Sequence, residues 1–179
     1  MGVPRRQEKV NLIAGMLSQD LSLIENAKKR LQRLFGPVDF ESDALDFTHT
    51  DYYEREMGRG LKRKFLSFKK PVSLKNISRV KTATNALEKY YAIDGIRKVN
   101  VDPGYLDISK LVLFSTKDYS HRIYLDKGIF AEVTLFYRDG KFNPWPWTYP
   151  DYRSAAYIEI FNTIRALFEK KRQAIKDAA

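Results

Sequence analysis

The chain has 179 residues, of which 44% are hydrophobic and 30% charged, with a formal net charge of +10 and no cysteine. This length and composition are typical of one globular domain, and the absence of cysteine excludes disulfides, iron–sulfur clusters and a cysteine nucleophile. No apolar run approaches the roughly 20 residues that cross a bilayer, and the first residues do not form a signal peptide, so we expect a cytoplasmic protein without a membrane partner.

The pattern of apolar residues up to residue 91 predicts the order strand, helix, strand, strand, helix over residues 10–17, 22–35, 38–48, 61–68 and 74–91. The first helix has signals at both ends. Ser22 and Glu25 have the spacing of a capping box, and Gly36 followed by Pro37 is typical of a helix end. We therefore expect Ser22 to cap this helix.

Extended segments and one long helix make up the rest of the chain. Strands are predicted over residues 97–101, 110–116, 120–125 and 129–137. Residues 102–105 are predicted to be the turn that ends the first of these strands, and residues 126–128 the tight turn before the last. Strict alternation in the last strand would place on one face Ile129, Ala131, Val133, Leu135 and Tyr137. Ser154 is predicted to cap the final helix.

This order of elements predicts an α+β fold. We expect a single domain over residues 1–179, with a mainly antiparallel sheet around a split βαβ (ferredoxin-like) core, extra strands and a long C-terminal helix. The core would cover about residues 10–168. The basic N-terminal tail and the end of the C-terminal helix would be peripheral.

The positive charge is concentrated in residues 55–81. Ten lysines and arginines stand there against one acid, Glu56. Such a cluster favours polyanions, so an RNA- or DNA-binding module that uses this segment is one alternative function. A solvated basic face that protects a sheet edge from aggregation explains the same charges.

A second group of polar residues lies in the connection before the strand at 120–125. Lys117, Asp118, His121 and Arg122 would meet at one end of the sheet. Lysine and arginine together suit phosphate or carboxylate, and Asp118 could orient the imidazole of His121 for proton transfer. A surface salt-bridge cluster is the alternative interpretation.

Polar residues on the sheet itself predict the floor of a pocket. Glu132 and Thr134 lie on the less apolar face of their strand, and Asn100 and Asp102 share a side of theirs. Asp102 and Glu132 could hold a divalent cation, for which Mg²⁺ is the candidate, or share acid and base work. Pairing of Glu132 with Arg122 would explain that glutamate equally well.

The loop before the final helix is rich in aromatic residues. Trp145, Trp147, Tyr149, Tyr152 and Arg153 could stack a base and hold a phosphate beside a helix start, or the aromatic side chains could anchor the loop to the core. No Gly-x-x-x-x-Gly-Lys-Ser/Thr phosphate loop occurs, which disfavours a canonical GTPase. The two histidines also lack the His-x-Thr pattern of certain phosphoesterases.

Several stretches together resemble one bacterial family, catalogued as domain of unknown function 4416. They include LIAGMLSQDLSLIENA, FGPVDFES, TDYYEREMG, VNVDPGYLDISKLVLFSTKDYSHRIYL, GIFAEVTLFY and WTYPDYRS, and the resemblance runs from about Val10 to Phe168. It implies a single-domain cytoplasmic protein without an established activity. Some members carry an automatic GTP-binding label that the missing phosphate loop does not support.

The resemblance also selects among the polar residues. Its motif positions include Tyr53, Glu56, Gly58, Asp102, Gly104, Tyr105, Lys117, Asp118, Tyr119, Ser120, His121, Arg122, Glu132, Thr134, Asp151, Tyr152 and Arg153. His49 and most lysines of residues 61–70 fall outside the pattern. This departure weakens the nucleic-acid interpretation, because the basic cluster then belongs to this chain's surface.

These observations lead to one principal hypothesis. The chain would bind a phosphorylated or otherwise anionic small ligand, such as a nucleotide, at one end of its sheet. The ligand would be contacted by Lys117, Arg122, Arg153, Tyr105, Tyr119, Tyr152 and Thr134, and catalysis, if present, would use His121, Asp118 and Glu132. Besides nucleic-acid binding, a non-catalytic partner-binding protein is the remaining alternative. The sequence identifies neither an organic cofactor nor an oligomeric state.

Overall fold

A computed structural model describes residues 2–4 and 8–177. Its strands are Asn11–Ser18 (β1), Val38–Glu41 (β2), Leu45–Asp46 (β3), Lys62–Phe68 (β4), Asn100–Leu106 (β5), Lys110–Ser115 (β6), Ile123–Asp126 (β7), Ile129–Arg138 (β8) and Lys141–Pro144 (β9). Its helices are Leu21–Phe35 (α1), Glu54–Met57 (α2), Ser78–Tyr90 (α3) and Ala155–Asp177 (α4), with a 3-10 turn at Asp151–Arg153. Arg5 and Arg6 of the predicted basic tail lie outside the described residues.

All described strands belong to one sheet with the order β2-β4-β1-β5-β6-β8-β7, in which β3 adds to β4 and β9 to β8. Every pairing is antiparallel. The first four places in this order form the split βαβ arrangement, because α1 connects β1 to β2 and α3 connects β4 to β5. The predicted α+β fold, the antiparallel sheet and the long C-terminal helix are confirmed.

Both faces of the sheet are covered by helices. On one face α1 and α3 pack over a core that includes Leu12, Met16, Ile24, Leu31, Leu66, Val80 and Leu87. On the other face α4 contributes Phe161 and Phe168 to a core that includes Ile13, Phe65, Leu113 and Leu135. Successive residues of β1 enter different cores because strand side chains alternate. No helix in the described part of the chain has the length and apolar character needed to cross a membrane.

The predicted cap of α1 is wrong by two residues. Asp20, and not Ser22, is the residue before the helix, and its Oδ1 accepts hydrogen bonds from the amides of Ser22 at 2.7 Å and Leu23 at 3.3 Å. Aspartate is as good a cap as serine and stands one residue before the first turn. The predicted end at Gly36 is confirmed, with φ of 94°.

The segment predicted as a turn at residues 102–105 is the middle of β5. Gly104 allows this, because a Cβ there would lie 2.1 Å from the carbonyl oxygen of Val112 on β6. The two strands approach closely at that point, and only glycine leaves the space. The Pro-Gly pair therefore marks a close strand approach and not a change of direction.

The alternation predicted for residues 129–137 is broken by a β-bulge. Leu111 pairs with Leu135, but Val112 pairs with Val133, so Thr134 is an extra residue in β8. Val133 packs on the α1 and α3 side, whereas Leu135 packs under α4. The predicted single apolar face is therefore wrong, because a bulge redirects the side chains that follow it.

One of the two hairpin turns beside β8 was predicted from the sequence, and the other was not. Lys127 and Gly128 have φ of 53° and 71° and form the predicted two-residue turn between β7 and β8. Asp139 and Gly140 form a similar turn before β9, which the sequence analysis did not identify. β7 begins only at Ile123, so residues 116–122 form a loop.

Candidate functional site

The sheet opens between β5 and β6, and a cavity of about 520 Å³ lies at the opening. These strands pair only from Gly104 onwards. Residues 100–103 pair with β1 alone, and the end of β6 pairs with β8 alone. Side chains from β4, β5, β6, β8, α3, the loop at 116–122 and the 3-10 turn all reach the cavity.

Two side chains of α3 replace the missing strand along this opening. Glu88 Oε1 accepts a hydrogen bond from the amide of Val101 at 2.8 Å, and Lys81 Nζ donates to the carbonyl of Val101 at 3.0 Å. Pro103, which faces the same edge of β5, has no N–H to leave unpaired. Burial raises the pKa of Glu88, although the charge of Lys81 opposes this effect. The opening is thus a built feature of the sheet.

Arg63 is the most buried charge at the cavity. Its side chain is 2% exposed, and Nη1 donates to Asp102 Oδ2 at 2.8 Å while Nη2 lies 3.6 Å from Asp151 Oδ2. Its Nε has no hydrogen-bond partner among the described residues. Arg63 lies on the α4 face of β4, because it is two residues from Phe65, which packs in the core on that face. One guanidinium therefore holds two carboxylates at the cavity wall.

The two carboxylates have opposite pKa shifts. Burial tends to raise the pKa of Asp102, but the charges of Arg63 and Lys81 hold it below the ordinary value. Burial raises the pKa of Asp151 above the ordinary value, and the charge of Arg63 opposes this only in part. Asp151 is consequently the weaker acid of the pair.

The Asp151→Asn variant is expected to melt a few degrees above the unmodified protein at pH 7 to 8. The raised pKa means that ionised Asp151 costs folding free energy above its unfolded pKa of about 3.9, and a neutral amide avoids that cost. The advantage should shrink as the pH falls towards 4. Asp102→Asn, the matched control, should lower the melting temperature at pH 7, with a loss that diminishes at low pH. Thermal unfolding between pH 4 and 8 measures both, and a pH-independent difference would contradict the assignment.

The loop at 116–122 is held to the sheet by Arg122. Its Nε donates to Glu132 Oε2 at 2.7 Å, and both side chains are 2% exposed. The other nitrogens donate to Ser115 Oγ, to the carbonyl of Lys117 and to Tyr149 Oη at 2.7–2.9 Å. Glu132 thus pairs with Arg122, as one alternative had it. Four hydrogen bonds to protein acceptors thus fix Arg122 in the cavity wall.

Lys117 is the accessible cation on this side of the cavity. It is exposed, and its Nζ lies 2.6 Å from Tyr52 Oη and 4.6 Å from the centre of that ring. Among the described residues no carboxylate pairs with it. Its charge is therefore available to an anion.

The structure brings six of the predicted site residues to one cavity: Asp102, Lys117, Tyr119, Arg122, Glu132 and Tyr152. They come from β5, the loop at 116–122, β8 and the 3-10 turn. Tyr152 is 2% exposed, and its hydroxyl has no hydrogen-bond partner among the described residues. Burial raises its pKa well above the ordinary value, so this hydroxyl stays a donor.

The other predicted site residues do not line this cavity. Arg153 donates to the carbonyls of Thr148 and Pro146 and so braces its own loop. Tyr105 packs in the core under α1 and α3. Thr134 is fully buried and lies 3.3 Å from Glu132 Oε1. Arg153 uses its donors on loop carbonyls. Tyr105 lies on the sheet face that α1 and α3 cover.

The predicted catalytic histidine lies behind the cavity wall. His121 Nε2 is 3.2 Å from Glu132 Oε2, and its ring stacks between Tyr119 and Trp147 with centroid distances of 6.0 and 5.7 Å. It borders a separate shallow cleft. Asp118 is exposed and lines neither the cavity nor the cleft, so the predicted Asp118–His121 pair does not form.

The predicted metal pair is divided between two arginines. Asp102 contacts Arg63, and Glu132 contacts Arg122. Within the described residues no group of three or more potential metal ligands occurs. Mg²⁺ at Asp102 and Glu132 stays a prediction.

Sequence reasoning missed three charged residues that line the cavity: Arg63, Lys81 and Arg97. Asp151, which also lines it, was noted as a motif position but was given no role. Arg97 donates to Glu56 and, at 2.9 Å, to Asn100 Oδ1. Arg63 offered one signal, because it stands two residues before Phe65 in a predicted strand and so shares a sheet face with that apolar side chain. The pairing partners come from distant segments, which the sequence pattern does not connect.

The basic segment at 55–81 does not present one continuous charged surface. Arg63 and Lys81 are buried at the cavity. Lys64 pairs with Glu25 and Glu41, and Lys62 pairs with Asp46 at 2.5 Å. Arg59 pairs with Glu54 at 3.1 Å. Half of the ten cations are thus buried or paired with acids.

Comparison with known proteins gives a family and no relative of known function. A protein-family model described as "Domain of unknown function (DUF4416)" matches residues 8–168. No curated protein and no solved structure matches the chain. The match covers both helical layers and the whole sheet.

Proposed function

The chain belongs to the DUF4416 family, and from that premise we propose that it binds a small anionic molecule with a planar ring, such as a nucleotide, in the cavity between β5 and β6. The family itself contributes no activity. The proposal therefore depends on the residues that line the cavity. It is a proposal of binding, because His121 and Asp118 lie outside the cavity.

The composition of the cavity wall is the observation that carries this proposal. Five cations and three carboxylates line the cavity together with seven aromatic rings. Two of these cations, Lys81 and Arg97, pair with Glu88 and Glu56, which do not line the cavity. A volume of about 520 Å³ suits a small organic ligand, since ligand pockets typically measure about 300–1,000 Å³. Aromatic walls favour a planar ring by stacking, and the accessible ammonium group of Lys117, which has no carboxylate partner among the described residues, favours an anion.

The availability of individual groups supports the same ligand. Lys117 has no carboxylate partner among the described residues, while Tyr52, Tyr119 and Tyr149 surround that side of the cavity. Tyr52 and Tyr119 are 60% and 52% exposed. Exposed rings are suited to stack a base, and the ammonium group of Lys117, which no carboxylate neutralises, is suited to bind the phosphate.

Binding is tested by isothermal titration of the purified protein with the four common nucleoside 5′-monophosphates at about 150 mM salt. We expect at least one to bind and Lys117→Ala to weaken it about 10-fold or more, because a hydrogen bond to a charged group contributes about 1.5–3 kcal/mol. Lys69→Ala, an exposed lysine away from the cavity, is the matched control and should bind normally.

Nucleic-acid binding predicts a different pattern in the same experiment. A single-stranded oligonucleotide that binds at 50 mM salt, weakens by orders of magnitude at 200 mM, and responds to Lys69→Ala would favour the basic segment. That result, without binding of any mononucleotide, would overturn the proposal.

A further inference from the structure

The two sides of the cavity carry opposite charge. The side built by β4, β5 and the 3-10 turn holds Arg63 with Asp102 and Asp151, which is one cation against two carboxylates. The nearby pairs of Lys81 and Arg97 with Glu88 and Glu56 are balanced. We name the group formed by Arg63, Asp102 and Asp151 the carboxylate side.

The opposite side is built by the end of β6, the loop that follows it and β8. It holds Lys117 and Arg122 with one carboxylate, Glu132, and we name it the lysine side. The tyrosines divide in the same way. The pKa of Tyr149 is influenced by the charges of Lys117, Arg122 and Glu132. The pKa of Tyr53 is influenced instead by the charges of Asp102, Arg63, Arg97 and Asp151.

The carboxylate side offers hydrogen-bond acceptors to the cavity. Asp102 is the more accessible carboxylate, with 25% of its side chain exposed. Arg63 binds one oxygen of each carboxylate and thereby orients both. An anion at this place would lie beside two carboxylates, and that repulsion offsets the attraction of Arg63. Donor groups of a ligand, either N–H or O–H, would instead meet ionised acceptors.

We propose that the ligand binds in one orientation, with its anionic group at Lys117 and N–H or O–H donors of its other end at Asp102 and Asp151. This inference rests on the proposed function and narrows it. The ligand class is an organic anion whose far end carries amino or hydroxyl groups. Asp102 and Asp151 then determine specificity, because a ligand without donors would displace water from these carboxylates and offer them no hydrogen bond in its place.

Matched ligands separate the two ends. Adenosine 5′-monophosphate is compared with adenosine, which lacks the anion, and with purine riboside 5′-monophosphate, which lacks only the amino group. The 2′-deoxy monophosphate removes one hydroxyl. Dissociation constants are measured for the unmodified protein, Lys117→Met, Asp151→Asn and the control Lys69→Ala.

The expected pattern is a division of effects between the variants. Lys117→Met should reduce the preference for the monophosphate over adenosine from about 10-fold or more to nearly none, and should keep the preference for donor-bearing rings or sugars. Asp151→Asn should do the reverse, with at least a threefold loss of discrimination against the analogues that lack a donor. Should that variant fold poorly, Asp102→Asn provides the same comparison.

Three different failures are distinguishable. If the unmodified protein binds these nucleotides but Asp151→Asn alters only the phosphate preference, the orientation is overturned and the proposed function stands. If neither variant alters any preference, the nucleotide binds elsewhere, and the proposed site falls with the orientation. If the unmodified protein binds none of them and no other nucleoside monophosphate, the proposed function and this inference both fall.

Discussion

Replacement of Arg63 with methionine is expected to lower the free energy of unfolding by about 3 kcal/mol, because removal of one partner leaves a buried carboxylate without its cation. Loss of a fully buried partner costs about 3–5 kcal/mol. We expect the lower end because Asp102, at 25% side-chain exposure, reaches the cavity and retains some hydration. Urea denaturation followed by circular dichroism measures the loss.

A second substitution separates the charge from the packing. The double variant Arg63→Met and Asp102→Asn should recover part of the lost stability, since Asp102 then carries no unpaired charge and only Asp151 is left without its cation. Equal stability of the single and double variants would show that Arg63 acts through its volume. A single variant within about 0.5 kcal/mol of the unmodified protein would contradict the buried pair itself.

Replacement of Gly104 with alanine is expected to cost about 3 kcal/mol, at the upper end of the range for overpacked sites. The new methyl carbon would lie 2.1 Å from the carbonyl oxygen of Val112, and backbone on a central strand cannot move aside as a side chain does. Urea denaturation gives the loss. Nucleotide affinity should also fall, because the pairing of β5 with β6 at Gly104 forms one boundary of the cavity.

Gly15 provides the matched control on the neighbouring strand. A Cβ at Gly15 would lie 3.0 Å from the ring of Phe65 and 3.2 Å from Nη1 of Arg63, both of which are side-chain atoms. Gly15→Ala should therefore cost clearly less than Gly104→Ala. Equal costs for the two variants would mean that the clash with the carbonyl oxygen of Val112 does not determine the cost at Gly104.

The sequence predicts the fold well where local pattern determines it. Apolar periodicity located β1, α1, β4, β6 and β8, and their order indicated the split βαβ core. It failed at Asp20, because Ser22 and Glu25, which have the spacing of a capping box, stand just after the true cap. It also failed at Gly104, where a Pro-Gly pair that usually turns the chain lies inside a strand. The cause at Gly104 is a contact with β6, which a local pattern does not contain.

The candidate site was predicted in part. Lys117, Tyr119, Arg122 and Asp102 came to one cavity because neighbouring strand ends meet at the same edge of a sheet. Arg63 was missed because its partners, Asp102 and Asp151, are distant in sequence, the second by 88 positions. The assignment of His121 as the acid or base stays a prediction. Its contacts with Glu132 and Trp147 connect the loop at 116–122 to β8 and to the loop before α4.

The hydrogen bonds from α3 to Val101 have a consequence for how this protein can change. In most sheets the spacing of two strands is set by their backbones, so sequence variation alters it little. Here the edge of β5 that borders the opening is hydrogen-bonded by two side chains of α3, Lys81 and Glu88. Substitutions on a helix can therefore alter this wall of the cavity while every strand pairing of the fold is retained, so that the cavity can change independently of the scaffold.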